Sequence, residues 1–206
     1  SGVNFFVGGG KKYFDQRKDE IKLVDLLINK GYVIADYMNE ELVDIEVNPE
    51  KNFGYFTANG EPLPFSQGRD YFVNACKKAT QYLSQQKGPG FFLLIEASQI
   101  DWGGHANDVG YIVSEMLEFD EVIGDVLKFA QNDGETLVIV TADHETGGFA
   151  INPGSALDTI VPAFTTTKHT ASMVPVFATG PGAELFGGIY ENITIYAKMK
   201  KALGLY

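Results

Sequence analysis

Apolar residues recur along the chain with two periods, one typical of β-strands and one typical of amphipathic helices. Short apolar runs predict strands at residues 3–7 and 32–35. Apolar positions three and four residues apart predict helices at residues 18–29 and 70–85. Residues 48–67 are rich in proline, glycine and asparagine, and this composition predicts a loop.

The central part of the chain shows a strand, helix, strand pattern. Apolar runs predict strands at residues 91–96 and 136–141, and the helical spacing between them persists over residues 107–129. Such a unit favours parallel flanking strands joined by a right-handed crossover. A strand at 174–178 and a helix at 191–202 complete the pattern. The sequence therefore predicts an α/β fold with a mostly parallel β-sheet flanked by helices on both faces.

Composition narrows the classes of partner. The 206 residues, 45% of them hydrophobic, are enough to bury a core, and we expect residues 1–206 to form part of a single α/β domain. The 27 acidic and 16 basic residues give a net charge of −11, which opposes binding to nucleic acid. No apolar run reaches membrane-spanning length. The single cysteine, Cys76, cannot form an intrachain disulfide, and its helical context predicts a buried small side chain.

The three histidines of the chain all lie beside carboxylates or hydroxyls. Asp101 and His105 are four residues apart, so a helix would place both on one face. Asp143 and His144 follow a predicted strand, and His169 follows three threonines and a lysine. Taken singly, each is equally typical of a helix cap or a surface histidine.

Glu96 closes another predicted strand, where an ionised, unpaired carboxylate would be costly to bury. In open α/β sheets, ligands collect at the carboxyl ends of the strands. Considered together, these acids and histidines at predicted strand ends favour a metal site.

Four motifs in order carry a resemblance to a known family. They are Glu96-Ala-Ser-Gln-Ile-Asp101-Trp-Gly-Gly-His105-Ala, Thr-Ala-Asp143-His144-Glu-Thr-Gly-Gly, His169-Thr, and Val-Pro-Val-Phe-Ala-Thr-Gly-Pro-Gly-Ala. Their sequence and spacing resemble the carboxyl-terminal portion of bacterial alkaline phosphatase. The resemblance implies a partial three-layer α/β sandwich.

The resemblance also implies a ligand set. Asp101, His105 and His169 would bind a first Zn²⁺, Asp143 and His144 would contribute to a second, and Glu96 would help to bind Mg²⁺. Phosphate monoesters would be hydrolysed through a phosphoserine intermediate, with release of inorganic phosphate. Family members are usually exported and some form dimers, so a periplasmic or secreted protein and a possible homodimer are expected, with neither nucleic acid nor membrane as a partner.

The chain also departs from the family pattern. The family's serine nucleophile lies upstream of the segment that matches here. None of the hydroxyl residues considered in its place, Ser98, Ser155, Ser172 and Thr165 to Thr167, occupies its context. The chain also begins Ser1-Gly2 without an initiator methionine. We therefore expect a carboxyl-terminal piece that supplies most of the zinc ligands, contains no catalytic nucleophile, and has little or no turnover alone.

Two other functions fit the same residues. A related two-metal phosphomutase or phosphodiesterase can be built on the same kind of sheet, and activity across monoesters, diesters and phosphosugars would separate it from a monoesterase. A non-catalytic metal-binding module is consistent with the missing nucleophile. Residues 8–10, three glycines after a strand, are read as a turn in preference to a phosphate cradle.

Overall fold

A computed structural model describes residues 2–205 and divides the chain into two compact units, Ser1–Glu96 and Ala97–Tyr206. The helices and strands of the first unit are β1 (Phe5–Gly8), α1 (Lys11–Asp15), α2 (Leu23–Asn29), β2 (Val33–Asp36), β3 (Phe53–Phe56) and α3 (Tyr71–Ser84). Short 3-10 helices lie at Leu42–Asp44 and Phe65–Gln67.

The sheet of the first unit is parallel, in the order β1-β3-β2. Phe53 of β3 is in register with Phe5 on one side and with Val33 on the other. A cluster of apolar residues packs beside this sheet. Its buried members are Leu42, Ile45, Phe53, Tyr55 and Ala75. The parallel direction confirms the expected class of sheet for this unit.

The central strand β3 corrects the prediction of a loop over residues 48–67. All four of its residues are buried, so its sequence lacks the alternation that marks a half-buried strand. Position 54 requires glycine, because a Cβ atom there would lie only 2.3 Å from the ring of Phe6. The glycine that suggested a loop is thus required by close packing between strands.

The predicted helix at residues 18–29 is shorter in the structure. It begins at Leu23, because Glu20 adopts a positive φ of 61° that a right-handed helix cannot contain. Arg17 and Asp19 form a local ion pair just before this residue. The apolar spacing therefore predicted that α2 is a helix but not where it starts, and none of its residues is fully buried.

The glycines at residues 8–10 form a turn. Backbone amides of Gly10, Lys11 and Lys12 donate to carbonyls of residues 60, 58 and 59, at 2.7, 3.2 and 2.9 Å. A Cβ atom on Gly9 would lie 2.5 Å from the Gly60 carbonyl oxygen. Because neighbouring backbone occupies these amides, the segment joins two loops and does not form a phosphate cradle.

The second unit is built around a long helix. Its elements are α4 (Gln99–Ala106), α5 (Val109–Asp133), β4 (Val138–Thr141), β5 (Glu145–Thr146), β6 (Ala150–Ile151), β7 (Pro162–Ala163), β8 (His169–Thr170), β9 (Val176–Thr179), a 3-10 helix (Ala183–Phe186) and α6 (Thr194–Ala202). Asp108 caps α5 by accepting from the amide of Tyr111 at 3.0 Å, and Gly134 ends it with a φ of 76°. Within residues 2–205, no helix is long and apolar enough to cross a membrane.

Strand pairing in the second unit departs from the predicted strand, helix, strand unit. The ladder partner of β4 is β9, and the pair is antiparallel. Residues 91–96 are not assigned to a strand in the described chain, although their exposure alternates from residue to residue. Hydrophobic periodicity reports which side chains are buried, whereas strand direction and ladder formation depend on the partner that the chain meets. Two short hairpin-like pairs, β5-β8 and β6-β7, complete the unit.

Candidate metal centre

Helix α4 and strand β8 bring three candidate ligand side chains together. Asp101 and His105 lie one helical turn apart on α4, as their spacing predicted, and His169 begins β8. Nε2 of His105 lies 3.4 Å from Asp101 Oδ2, Nε2 of His169 lies 3.5 Å from Asp101 Oδ1, and the two Nε2 atoms are 3.1 Å apart. Among residues 2–205, these three side chains form the group able to hold a metal ion.

These separations are of the size found around a tetrahedral metal, although the two to Asp101 are measured to different oxygens of its carboxylate, and one ligand atom from each residue lies within 4.8 Å of the other two. Zinc with nitrogen and oxygen ligands at about 2.0–2.1 Å places the ligand atoms about 3.3 Å from one another. The three observed separations lie on either side of that value. All three side chains are partly exposed, with 33% of Asp101, 39% of His105 and 49% of His169 accessible. The group can therefore be reached from solvent.

The tautomer of His105 also suits metal binding. Its Nδ1 lies 2.7 Å from the carbonyl oxygen of Thr167, and a carbonyl can only accept a hydrogen bond. In the neutral ring, Nδ1 therefore carries the proton and Nε2 presents a lone pair to Asp101 and His169. Metal-binding histidines usually make such a bond with their other nitrogen. The Nε2 lone pair of His105 and the Asp101 carboxylate therefore offer two donor atoms to a cation beside His169.

Glycines allow α4 to approach its neighbours closely. A Cβ atom on Gly103 would lie 2.8 Å from Ile112 Cγ1, and one on Gly104 would lie 2.9 Å from the Thr146 side chain. Gly147, with a φ of 90°, would place a Cβ atom 2.9 Å from the Gly104 carbonyl oxygen. These contacts set the distance between the helix carrying Asp101 and the strand following His144.

Thr146 is a site residue that sequence reasoning missed. Its hydroxyl donates to Asp101 Oδ1 and lies 3.3 Å from His144 Nδ1. Thr146 is also the β-ladder partner of His169. The sequence signal was its place two residues after His144, which puts both side chains on one side of an extended segment.

Asp143 and His144 lie beside the three-ligand group. The ring of His144 stacks on His169 with centroids 3.6 Å apart, and its Nε2 lies 3.3 Å from Asp143 Oδ2. The Asp143 carboxylate is 85% exposed. This pair presents a nitrogen and an oxygen next to the first group, so the predicted ligands of a second ion are close to those of the first.

Glu96 belongs to a different compact unit from these two sets of side chains. It is the last residue of the first unit and is exposed. The three-ligand group does not include it. Its predicted role in binding magnesium therefore stays a prediction.

Glu145, between His144 and Thr146, is held by three donors. Its carboxylate accepts from the amides of Gly148 and Phe149 at 3.1 and 3.0 Å, and from the hydroxyl of Thr170. Burial raises the pKa of Glu145, but these hydrogen bonds outweigh it and the net effect lowers the pKa. The side chain is therefore ionised and engaged by the protein itself.

Comparison with known proteins identifies relatives of the chain. A family model described as alkaline phosphatase matches residues 2–162. Alkaline phosphatase 3 of Bacillus subtilis is 36% identical over 151 residues, which cover 72% of this chain and 31% of that protein. The solved alkaline phosphatase of the Antarctic bacterium TAB5 is 41% identical with a TM-score of 0.88, over 100% of this chain and 62% of that chain.

A variant of the TAB5 enzyme, 40% identical to this chain with a TM-score of 0.88, was solved with Mg bound in its M3 site. The match covers 99% of this chain and 61% of that one. These structures confirm the predicted alkaline-phosphatase-like α/β fold. The chain spans 31% of the Bacillus protein and less than two thirds of the solved chains. Since the family model matches most of its residues, this chain belongs to the alkaline phosphatase family.

Proposed function

We propose that the chain provides the zinc-binding part of a metal-dependent phosphomonoesterase. The observation that carries the proposal is the convergence of Asp101, His105 and His169 at separations of 3.1 to 3.5 Å in a chain of this family. These three side chains would hold one Zn²⁺. Asp143 and His144 would contribute to a second, and Glu96 would help to hold Mg²⁺.

The protein residues supply geometry and charge. A bound zinc ion would act as a Lewis acid toward a phosphoryl oxygen and lower the pKa of bound water. His105 and His169 offer imidazole nitrogens, and Asp101 offers a carboxylate whose orientation is fixed by the hydrogen bond from Thr146. The Thr167 carbonyl holds the ring of His105 with Nε2 toward the group. Contacts within the protein thus orient Asp101 and His105.

The charge balance favours a small anionic substrate at this position only with cations present. The chain carries a net charge of −11, so a phosphate monoester dianion would otherwise be repelled. Two divalent ions at neighbouring groups would offset Asp101 and Asp143 locally. We expect phosphate monoesters as substrates and inorganic phosphate as product and ligand, and not nucleic acid or membrane.

The full reaction would pass through a phosphoserine. Of the serines noted in the sequence, Ser155 donates to the Asn152 carbonyl at 2.8 Å and accepts from the amide of Val161 at 2.9 Å, so its hydroxyl has a structural role. We therefore propose that the 206 residues bind metal and turn over little substrate alone. An exported location and a homodimer are part of the same proposal, on the strength of the family.

Metal content tests the proposal directly. We expect about one zinc per chain by plasma mass spectrometry after purification without chelator, and its loss in Asp101→Asn and in His105→Ala. Asp158→Asn removes the same charge from an exposed position and should retain zinc. Zinc retained equally by all variants, or absent from the unmodified protein, would contradict the ligand set.

A turnover measurement tests the proposal that the 206-residue chain has little phosphatase activity alone. Hydrolysis of an aryl phosphate by the 206-residue chain, abolished by chelator and restored by zinc, would refute the expectation of little activity. With the complete protein, a panel of monoesters, diesters and phosphosugars would show whether monoesters are preferred.

A further inference from the structure

One carboxylate outside the metal ligands holds several segments of the site together. Glu145 Oε2 accepts from the Gly148 amide and the Thr170 hydroxyl, and Oε1 accepts from the Phe149 amide. Both oxygens are therefore engaged by donors of the protein. This arrangement suits a side chain that fixes backbone and not one that binds an ion.

The strands that Glu145 connects carry part of the metal centre. In the β5-β8 ladder, Glu145 is paired with Thr170, and Thr146 is paired with His169. Each of these strands has only two residues, so few backbone hydrogen bonds hold them. The Thr146 hydroxyl donates to Asp101 Oδ1, and His169 Nε2 lies 3.5 Å from the same oxygen of Asp101. The hydrogen bond from Thr170 to Glu145 across this short ladder therefore affects the position of His169 relative to Asp101.

The turn that Glu145 fixes is connected to the segment that contacts His105. The amide of Gly147 donates to the Lys168 carbonyl at 3.0 Å, and the Gly147 carbonyl accepts from the amides of Thr165 and Thr166 at 3.0 and 3.2 Å. The next carbonyl along this segment, that of Thr167, lies 2.7 Å from His105 Nδ1. The turn after Glu145 thus supports the segment that orients His105.

We propose that Glu145 is a positioning residue of the metal centre, whose carboxylate sets His169 and the segment that orients His105 around Asp101. The inference rests on the proposed metal-binding function. It assigns Glu145 no contact with ion or substrate.

The chemistry of the side chain makes glutamine an informative replacement. A carboxylate accepts at both oxygens, whereas a carboxamide of the same shape accepts at one atom and donates at the other. In Glu145→Gln, the side-chain amide nitrogen must face at least one of the three donors. At least one hydrogen bond is therefore lost, while the volume of the side chain is unchanged. Thr170→Val removes a single tie from the other strand and leaves Glu145 in place.

Cobalt is a suitable probe because its visible absorption reports coordination geometry. We would titrate apo protein with Co²⁺ alone and measure affinity and band shape, and follow thermal unfolding by circular dichroism in parallel. Glu145→Gln should bind Co²⁺ about 10- to 100-fold more weakly, the usual effect of losing a partner that orients ligands, and with an altered band. Glu135→Gln, an exposed glutamate before β4, should behave as unmodified protein.

The outcomes separate the two proposals. An altered band in a folded Glu145→Gln or Thr170→Val protein would support positioning, since a role in stability alone would change the melting temperature and leave the band unaltered. Unmodified affinity and band in both variants would overturn the inference, and if Glu145→Gln does not fold, Thr170→Val decides. Failure of the unmodified protein to bind Co²⁺ would overturn the metal assignment itself, and the inference with it.

Discussion

Thr146 shows how a single hydroxyl can orient a proposed metal ligand. It donates to Asp101 and lies 3.3 Å from His144 Nδ1. Valine keeps the branched shape but removes the donor, so Asp101 would lose its fixed orientation. We expect Thr146→Val to weaken zinc binding about 10- to 100-fold, measured by competition with a chromogenic chelator. Thr159→Val makes the same change at an exposed site, and equal affinities in the two variants would contradict this role.

Asp36 gives the first unit a residue-level dependence on pH. It is 6% exposed and accepts from Lys11, from the Met38 amide at 3.0 Å and from the Asn39 side chain at 2.9 Å. Burial raises the pKa of Asp36. The hydrogen bonds from Lys11 and Met38, together with the charge of Lys11, lower the pKa by more than burial raises it, so the net pKa is depressed. Its hydrogen bond to Asp36 raises the pKa of Lys11.

The signs follow from these directions. The contribution of Asp36 to the free energy of unfolding is complete above its unfolded pKa of about 3.9 and is lost as pH falls through the lower folded value. The contribution of Lys11 to the free energy of unfolding is complete below its unfolded pKa of about 10.4 and is lost as pH rises through the higher folded value.

We expect Asp36→Asn to lower the free energy of unfolding by about 1–3 kcal/mol at neutral pH. In urea unfolding, the decrease of this free energy toward acid pH, the acid slope, should become smaller. An acid slope unchanged from that of exposed Asp158→Asn would count against this account.

Helix α4 depends on glycine at the scale of a whole element. A Cβ atom on Gly104 would meet the Thr146 side chain and its carbonyl oxygen at 2.9 Å. Because one of these atoms is backbone, α4 and β5 would have to separate, moving Asp101 and His105 away from His169. We expect Gly104→Ala to destabilise the fold by about 1–3 kcal/mol and to lower zinc affinity, measured by urea unfolding and chelator competition.

Gly124 provides the matched control within α5. No atom lies within 4 Å of a Cβ atom built there. Alanine in an open helix interior stabilises it by about 1 kcal/mol relative to glycine. Gly124→Ala should therefore raise the free energy of unfolding and leave zinc affinity unchanged. The same sign of effect in both variants would show that helix propensity, and not the approach of α4 to β5, governs position 104.

Element by element, the sequence was informative where one segment determines its own structure. The spacing of Asp101 and His105 predicted one helical face, and α4 confirms it. Strand β3 was missed because burial on both faces removes the alternation. The ties made by Glu145 and Thr146 depend on the register of two-residue strands far apart in the chain, which no local pattern encodes. His169 stood out from the sequence only jointly with the other histidines and acids, and its pairing with Asp101 and His105 came from the family resemblance, since its own context is that of a loop histidine.

At the scale of the whole molecule, acidic charge and exposed apolar surface oppose each other. The extended residues 91–96 expose Phe92 by 58% and Leu94 by 77%, two residues apart on one side of a segment without a strand assignment. Exposed apolar side chains on an extended segment favour association between chains. The net charge of −11 repels a second copy until salt screens it.

We therefore expect self-association that increases with ionic strength. The screening length falls from about 10 Å at 0.1 M salt to about 3 Å at 1 M, while burial of Phe92 and Leu94 is not screened. The weight-average mass from light scattering should rise over this range, and Phe92→Glu with Leu94→Glu should suppress the rise.

Met38→Glu with Val43→Glu is the control for that experiment. These residues are exposed by 72% and 59%, close to the values for the other pair, but they lie on a turn and a 3-10 helix. The control adds the same charge, so equal suppression by both pairs would mean that repulsion alone sets the association. Suppression by the Phe92 and Leu94 pair alone would place the contact on the extended segment, and a monomer mass at every salt concentration would contradict self-association altogether.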